Sequence, residues 1–260
     1  MRILQRVAAL SLVVLASIIA FPQSPRPLRV IHVIVALADN EFQGIVPVPA
    51  ALGNGDDARR NLYWGAAGGV RTFFQRSLDW ELDAPCSPRD YPLVERCVFR
   101  HKSKLAILVA DAYRGREIKI AIQTFLTYAA GRLTQEVRVG RLRYRAGGDS
   151  DLVAYVGHDG LMNFALDHNE VPDRTKEKKA MILACASRQY FAEALRHTGA
   201  EPILWTTNLM APEAYTLKAA LDGWLNEESG EQIRERAAVA YDKYQHCGIK
   251  GARKLFATGW

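Results

Sequence analysis

Apolar residues run almost without interruption through "LRVIHVIVALA" (28–38), a β-branched stretch too short for a helix and followed by polar "DNEFQG". The pattern predicts a strand buried on both faces. "KLAILVADAYRG" (104–115), the run "DLVAYVG" leading to His158, "KAMILACA" (179–186) and "EPILWTTN" (201–208) read the same way. Between these runs the apolar period lengthens to that of a helix. Residues 56–77 place Leu62, Ala66, Val70 and Phe73/Phe74 on one side, although Gly65, Gly68 and Gly69 weaken the pattern. Residues 116–132 carry Ile118, Ile120, Ile122, Phe125 and Leu126. A third helix is expected from Ser187, as N-cap, to Gly199, as stop. Pro212 opens another with Tyr215, Leu217, Leu221, Trp224 and Leu225 apolar, and Ser229 with Gln232 has the capping-box spacing for a last one ending near Gly248. Residues 78–103 read as a loop-rich excursion. Strands alternating with helices predict an α/β fold, a mainly parallel sheet flanked by helices on both faces, in one domain over 28–260.

The N-terminus has a different pattern. Arg2 and Arg6 precede "VAALSLVVLASIIAF", an uncharged run of 15 residues, and Pro22, Pro25 and Pro27 follow. A basic start, a short apolar centre and a helix-breaking exit predict a signal peptide or N-terminal anchor over 1–24, hence a periplasmic or secreted protein. The remaining composition, 49% apolar and 24% charged, suits a globular chain with a full core. The formal charge of +6 is scattered, with no Lys/Arg cluster interleaved with aromatics, so no nucleic-acid partner is expected, nor a membrane beyond the N-terminal segment.

Export changes the meaning of the four cysteines. In an oxidising compartment Cys86 and Cys97, flanking "CSPRDYPLVERC", are the natural local pair. Cys185 and Cys247 are then a second bridge or free thiols.

Chemistry in an open α/β sheet gathers at the carboxyl ends of the strands. Those ends carry Asp39, Asp111, His158 and Cys185. A histidine and a cysteine closing two consecutive strands suggest a thiol nucleophile with its proton acceptor, since a thiolate is favoured beside a histidine or at a helix N-terminus. Asp39 or Asp111 near the thiol would form a substrate pocket favouring a basic side chain. "GAAGG" lacks the residues of a phosphate loop, and Asp56, Asp57 and His168 form no metal-ligand set, so neither cofactor nor metal is expected. His32, Trp64, Trp80 and Trp205 are expected to be core residues.

"YVGHDG" at the end of one strand, followed by "ILACAS" at the end of the next, resembles the caspase-like cysteine peptidases, which include legumains, clostripain, gingipains, metacaspases and separase. The resemblance implies a three-layer sandwich, His158 as general acid/base, Cys185 as nucleophile, backbone N–H groups at Gly160 and Cys185 as oxyanion donors, and a peptide or protein substrate. The chain departs from that pattern where Asp159 stands between His158 and Gly160, and where no glycine closely follows Cys185. Two other readings compete with an exported thiol hydrolase. One is a non-catalytic exported binding or accessory protein in which Cys185 is structural, and the other a hydrolase using Asp39 or Asp111.

Overall fold

The uninterrupted apolar run becomes β1 (Arg29–Ala36), at the middle of an eight-stranded sheet in a computed structural model that describes residues 27–167 and 170–260. The 1–24 segment read as a signal or anchor, and His168, lie outside the described residues. To one side of β1 come β4 (Ala106–Tyr113), β3 (Leu93–His101) and β2 (Trp80–Pro88). To the other come β7 (Leu152–Val156), β8 (Lys179–Leu183), β9 (Glu201–Thr206) and the short β10 (Phe256–Ala257). β4, β1, β7, β8 and β9 are parallel, and the hairpin β2–β3 and β10 are antiparallel additions at the two edges. The parallel centre is buried on both faces, which is why its strands read as continuous apolar runs rather than alternating ones.

Side-chain parity divides the core. Ile31, Val33, Val35, Leu108, Val156 and Leu183 face a layer built from α1 (Val70–Gln75), α4 (Ala214–Leu225), α5 (Gly230–Gln245) and α6 (Ile249–Leu255). Ile34, Val153, Tyr155 and Ile182 face α2 (Ile118–Ala129) and α3 (Ser187–Thr198). On α2 the buried residues Ile118, Ile122, Phe125, Leu126 and Ala129 follow the helical period, so one stripe meets the sheet. A separate ribbon, β5 (Thr134–Val139) and β6 (Leu142–Gly147), covers Val30, Val98, Ile107 and Val109 on the α2 side. The architecture is therefore an α/β sandwich of three layers. Of the described residues, none belongs to a helix long and apolar enough to cross a membrane.

Three expectations change. Residues 56–77 are mostly turns, and only the six residues of α1 are helical. A Cβ at Gly65 would come 2.1 Å from the Arg59 carbonyl oxygen, and one at Gly69 2.4 Å from Trp64, so the glycines permit a chain that doubles back on itself. Asn61 locks the turn to the end of β1, donating to the Ala38 carbonyl and accepting from the Ala38 N–H. The 78–103 excursion is the hairpin β2–β3, closed by the Cys86–Cys97 disulfide. Ser187 is the first helical residue of α3 rather than its cap: Ala186 occupies the cap in the left-handed region, φ 47°. The capping box of Ser229 and Gln232 and the left-handed stop at Gly199 form as expected.

Candidate functional site

β7 and β8 pair in parallel register, and their last partners are Val156 and Leu183. Two residues beyond each lie His158 and Cys185, so both stand at the carboxyl end of the sheet at matching heights on neighbouring strands. The ladder continues one step further, with Gly157 N–H donating to the Leu183 carbonyl at 3.2 Å. At Gly157 φ is +154°, and a Cβ there would press against the Ala36 carbonyl at 3.0 Å; glycine lets β7 run close to β1 before it turns out to His158. Connections switch direction along the sheet at β1, which lies between β4 and β7, so His158 stands beside the switch and Cys185 one strand further out.

Cys185 sits at a sharp strand-to-helix corner. Ala186 adopts a conformation that costs about 1 kcal/mol for a residue with a Cβ, and it is held by an N–H bond to the Asn208 carbonyl at 2.9 Å. Behind the corner, Ser187 donates its hydroxyl to the Ile182 carbonyl and takes part in reciprocal bonds with Thr206, fixing the start of α3 to β8 and β9. Strain held in place by such contacts concentrates at functional positions. The thiol is free and half-buried, as Cys247 is free and exposed. Met210 brackets the sulfur: its N–H donates to Sγ at 3.4 Å, and the thiol donates to its carbonyl at 3.5 Å. Burial pushes the thiol pKa up, the Met210 N–H pulls it back, and a charge on Asp159 pushes it up again.

His158 is half-buried, and its Nε2 lies 2.6 Å from Oδ1 of Asn163. With Nε2–H donating to Asn163, Nδ1 keeps the lone pair. Burial lowers the histidine's pKa, and the Asn163 bond raises it by less. The raised thiol and the lowered imidazole are each neutral at rest, and no hydrogen bond joins them: the ring bonds to Asn163 and the thiol to Met210. The Tyr155 hydroxyl donates to the His158 carbonyl at 2.8 Å and fixes the backbone beneath the ring.

The other expected residues are placed differently. Asp39 is buried at the end of β1, where its Oδ1 accepts from the N–H groups of Glu41 and Phe42; a Cβ on Gly55 would come 2.0 Å from its Oδ2. Asp111 lies within β4, wholly buried, bonded to Arg96 and His32. Neither carboxylate is open to a substrate: one closes a turn and the other a core network. Gly160 is buried beneath Phe164 and Ile122, where a Cβ would come within 2.7 Å and 3.0 Å of them. Trp64, Trp80 and Trp205 are core residues, as is His32. Cys86, Cys97 and Glu95 bring ligand-type atoms within 4.8 Å of one another, but the sulfurs are bonded together and Glu95 serves Trp64 and Arg71.

Four residues were not singled out by the sequence. Asn163 follows His158 by five positions in an irregular turn, and Met210 acts through its backbone, so neither carries a sequence signal. Tyr63 and Glu213 are the other two. Burial, and after it the charges of Cys185 and Glu213, raise the Tyr63 phenol. Glu213 accepts from Tyr215 and Gln245. Beside Asn163 a depression of about 710 Å³ opens between the 161–166 turn and Tyr190 and Glu193 of α3. The chain matches no protein-family model, no curated protein and no solved structure.

Proposed function

We propose that the protein is an exported thiol hydrolase of peptidase type, with Cys185 as nucleophile and His158 as general acid/base. The observation that carries this reading is the matched position of the two residues, two steps past the last paired residues of adjacent parallel strands, with the sulfur unbonded to any other cysteine. The resemblance of "YVGHDG" and "ILACAS" to caspase-like peptidases supports it.

Nδ1 of His158 takes the thiol proton as Sγ bonds to the substrate carbonyl carbon, so that no charged thiol is needed at rest. The N–H of Cys185 is assigned as a donor to the oxygen that becomes negative. As the tetrahedral adduct collapses, His158 returns the proton to the departing amine and a thioester remains. Water, losing a proton to His158, attacks the thioester and restores the thiol. Asn163 keeps the imidazole in the tautomer this sequence requires.

A non-catalytic binding role is favoured by one observation, the two-way bond between the Cys185 thiol and Met210, which a structural cysteine would also make. The exported protein alkylated without reductant and screened on a peptide library separates the two. Alkylation at Cys185, with hydrolysis lost in Cys185→Ala, supports the enzyme; hydrolysis surviving in Cys185→Ala, or absent from the parent protein across the library, overturns it.

A further inference from the structure

Between His158 and Gly160 stands a carboxyl group that the proposed chemistry leaves unused. Asp159 is fully buried. Its Oδ1 accepts from the Leu161 N–H at 3.0 Å and caps the turn that follows, whereas its Oδ2 is buried with no partner. An orphaned buried carboxyl oxygen is costly and calls for an account. The loop could have been capped by a serine or asparagine at no such cost.

Its surroundings can be named from each side. β7 contributes Tyr155, whose phenol is raised by burial and then by the Asp159 charge, and the β8 corner contributes Cys185, which stands two residues past Leu183 as Asp159 stands three past its strand partner Val156. The turn itself adds His158 and Asn163, which bond to each other. On the helices flanking the turn, Lys119 of α2 is paired with Glu170, Tyr190 and Glu193 of α3 line the depression, Arg196 lies over Trp260, and His197 pairs with Asp173. Among the described residues no lysine, arginine or histidine pairs with Asp159, and its only hydrogen bonds come from backbone N–H groups.

We propose that Asp159 is a positioning residue for the thiol chemistry, its buried carboxyl setting how readily Cys185 gives up its proton. The proposal rests on reading Cys185 as the nucleophile. Burial outweighs the Leu161 and Met162 N–H groups and lifts the Asp159 carboxyl to about 7, so it changes charge near neutral pH. Protonated, it leaves the thiol subject only to burial and the Met210 N–H. Ionised, it adds a negative charge that opposes a second one on sulfur. The site is therefore most reactive, at a given thiolate-favouring pH, when that charge is absent, and the departure from the His-Gly pattern of the resembling peptidases becomes a restraint on the nucleophile.

The test follows iodoacetamide alkylation of Cys185 against pH in the full chain, with the exposed Cys247 replaced by serine. Asn at 159 keeps the Oδ1 acceptor and removes the charge. The expected result is a thiol titration displaced to lower pH in Asp159→Asn, with faster alkylation at pH 8, while the parent profile shows a second inflection near neutral pH. Superimposable profiles overturn the proposal. Should Asp159→Asn fail to fold, the parent carrying His158→Gln decides: the neutral inflection persists if Asp159 causes it, and a single ionisation curve rejects it. Because alkylation is read rather than turnover, a negative result here is distinct from loss of the hydrolase reading, which stands on Cys185→Ala.

Discussion

Arg96 grips Asp111 through two nitrogens, each 2.5 Å from a carboxylate oxygen, with both side chains buried in the sheet. His32 adds Nε2–H at 3.0 Å, and its Nδ1 accepts from the Gly147 N–H at 2.9 Å. The chain of contacts runs from β3 through β4 and β1 to β6, joining the edge hairpin, the parallel centre and the outlying ribbon. Tyr128 of α2 packs on the His32 ring, with centroids 4.9 Å apart. Asp111 is thus a structural group whose charge is answered from within.

Removing one partner of such a pair leaves a buried charge uncompensated. Arg96→Met is expected to cost about 3–5 kcal/mol. The Arg96 and His32 bonds, acting against burial, hold the Asp111 carboxyl well below the usual carboxylate range. Its contribution is then fully present above about pH 4, the unfolded value, and is lost as pH falls towards the folded one. Urea unfolding of the parent and Asp111→Asn should show a stability gap at pH 7 that narrows by pH 3. A gap independent of pH contradicts this account.

Asp159 has the opposite sign. Its carboxyl is raised to about 7, so the folded state holds a proton that the unfolded state has lost. The stability it contributes is full below about pH 4 and declines as pH rises towards 7, by on the order of 4 kcal/mol if the whole shift is realised. Asp159→Asn should flatten the decline and be more stable than the parent at pH 8. Chemical denaturation at pH 4.5, 6 and 8 checks it, and parallel curves for the two proteins reject it.

How far the sequence could be read depends on burial. The strands β1, β4, β7, β8 and β9 were legible because both their faces are covered, so "HVIVALA" or "AMILA" has no other use. β2 was not, because at the sheet edge it mixes Glu, Asp, Ser and Pro with few apolar residues, as edge strands do, and β3, one strand in, breaks its apolar Leu93, Val94, Cys97, Val98 and Phe99 with Glu95, Arg96 and Arg100. The 56–77 segment has the apolar spacing of a helix, but its glycines serve tight turns around Asn61. The positions of His158 and Cys185, two residues past the last paired residues of β7 and β8, were legible from the strand ends. Asn163 was not, since its partnership with His158 depends on the geometry of a turn. Asp39 and Asp111 looked alike as strand-end acids, and only their hydrogen bonds reveal that both are consumed internally.

The Cys86–Cys97 bond joins β2 to β3 across the edge hairpin, with Cα atoms 4.3 Å apart. Losing it should destabilise the protein by about 2–4 kcal/mol, largely through a freer unfolded chain. Reduction and the double change Cys86→Ser, Cys97→Ser are two routes to the same loss, since a reductant leaves the free thiols Cys185 and Cys247 chemically unchanged. Thermal melts of the parent with and without reductant and of the double variant should agree on a lowered midpoint. Equal midpoints in all three would show that the hairpin is held by its strand pairing alone.

Asn163 is exposed, so Asn163→Ala should leave stability within about 0.5 kcal/mol of the parent, yet it removes the group that holds Nε2 of His158. Under the proposed thiol-hydrolase reading, His158→Ala should lower kcat on a cleaved peptide by about 10²–10⁴, and Asn163→Ala by a smaller factor. The lowered His158 pKa adds a direction in pH. The imidazole stays unprotonated, and able to accept the thiol proton, below the ordinary histidine midpoint of about 6.5, so the acid limb of kcat should fall below that pH. Because the Asn163 bond opposes the lowering, Asn163→Ala should move this limb further down. Rate profiles from pH 4 to 8 for the parent and both variants read the effect directly. An acid limb unmoved by Asn163→Ala, together with undiminished kcat in His158→Ala, would mean that the imidazole takes no part in the reaction.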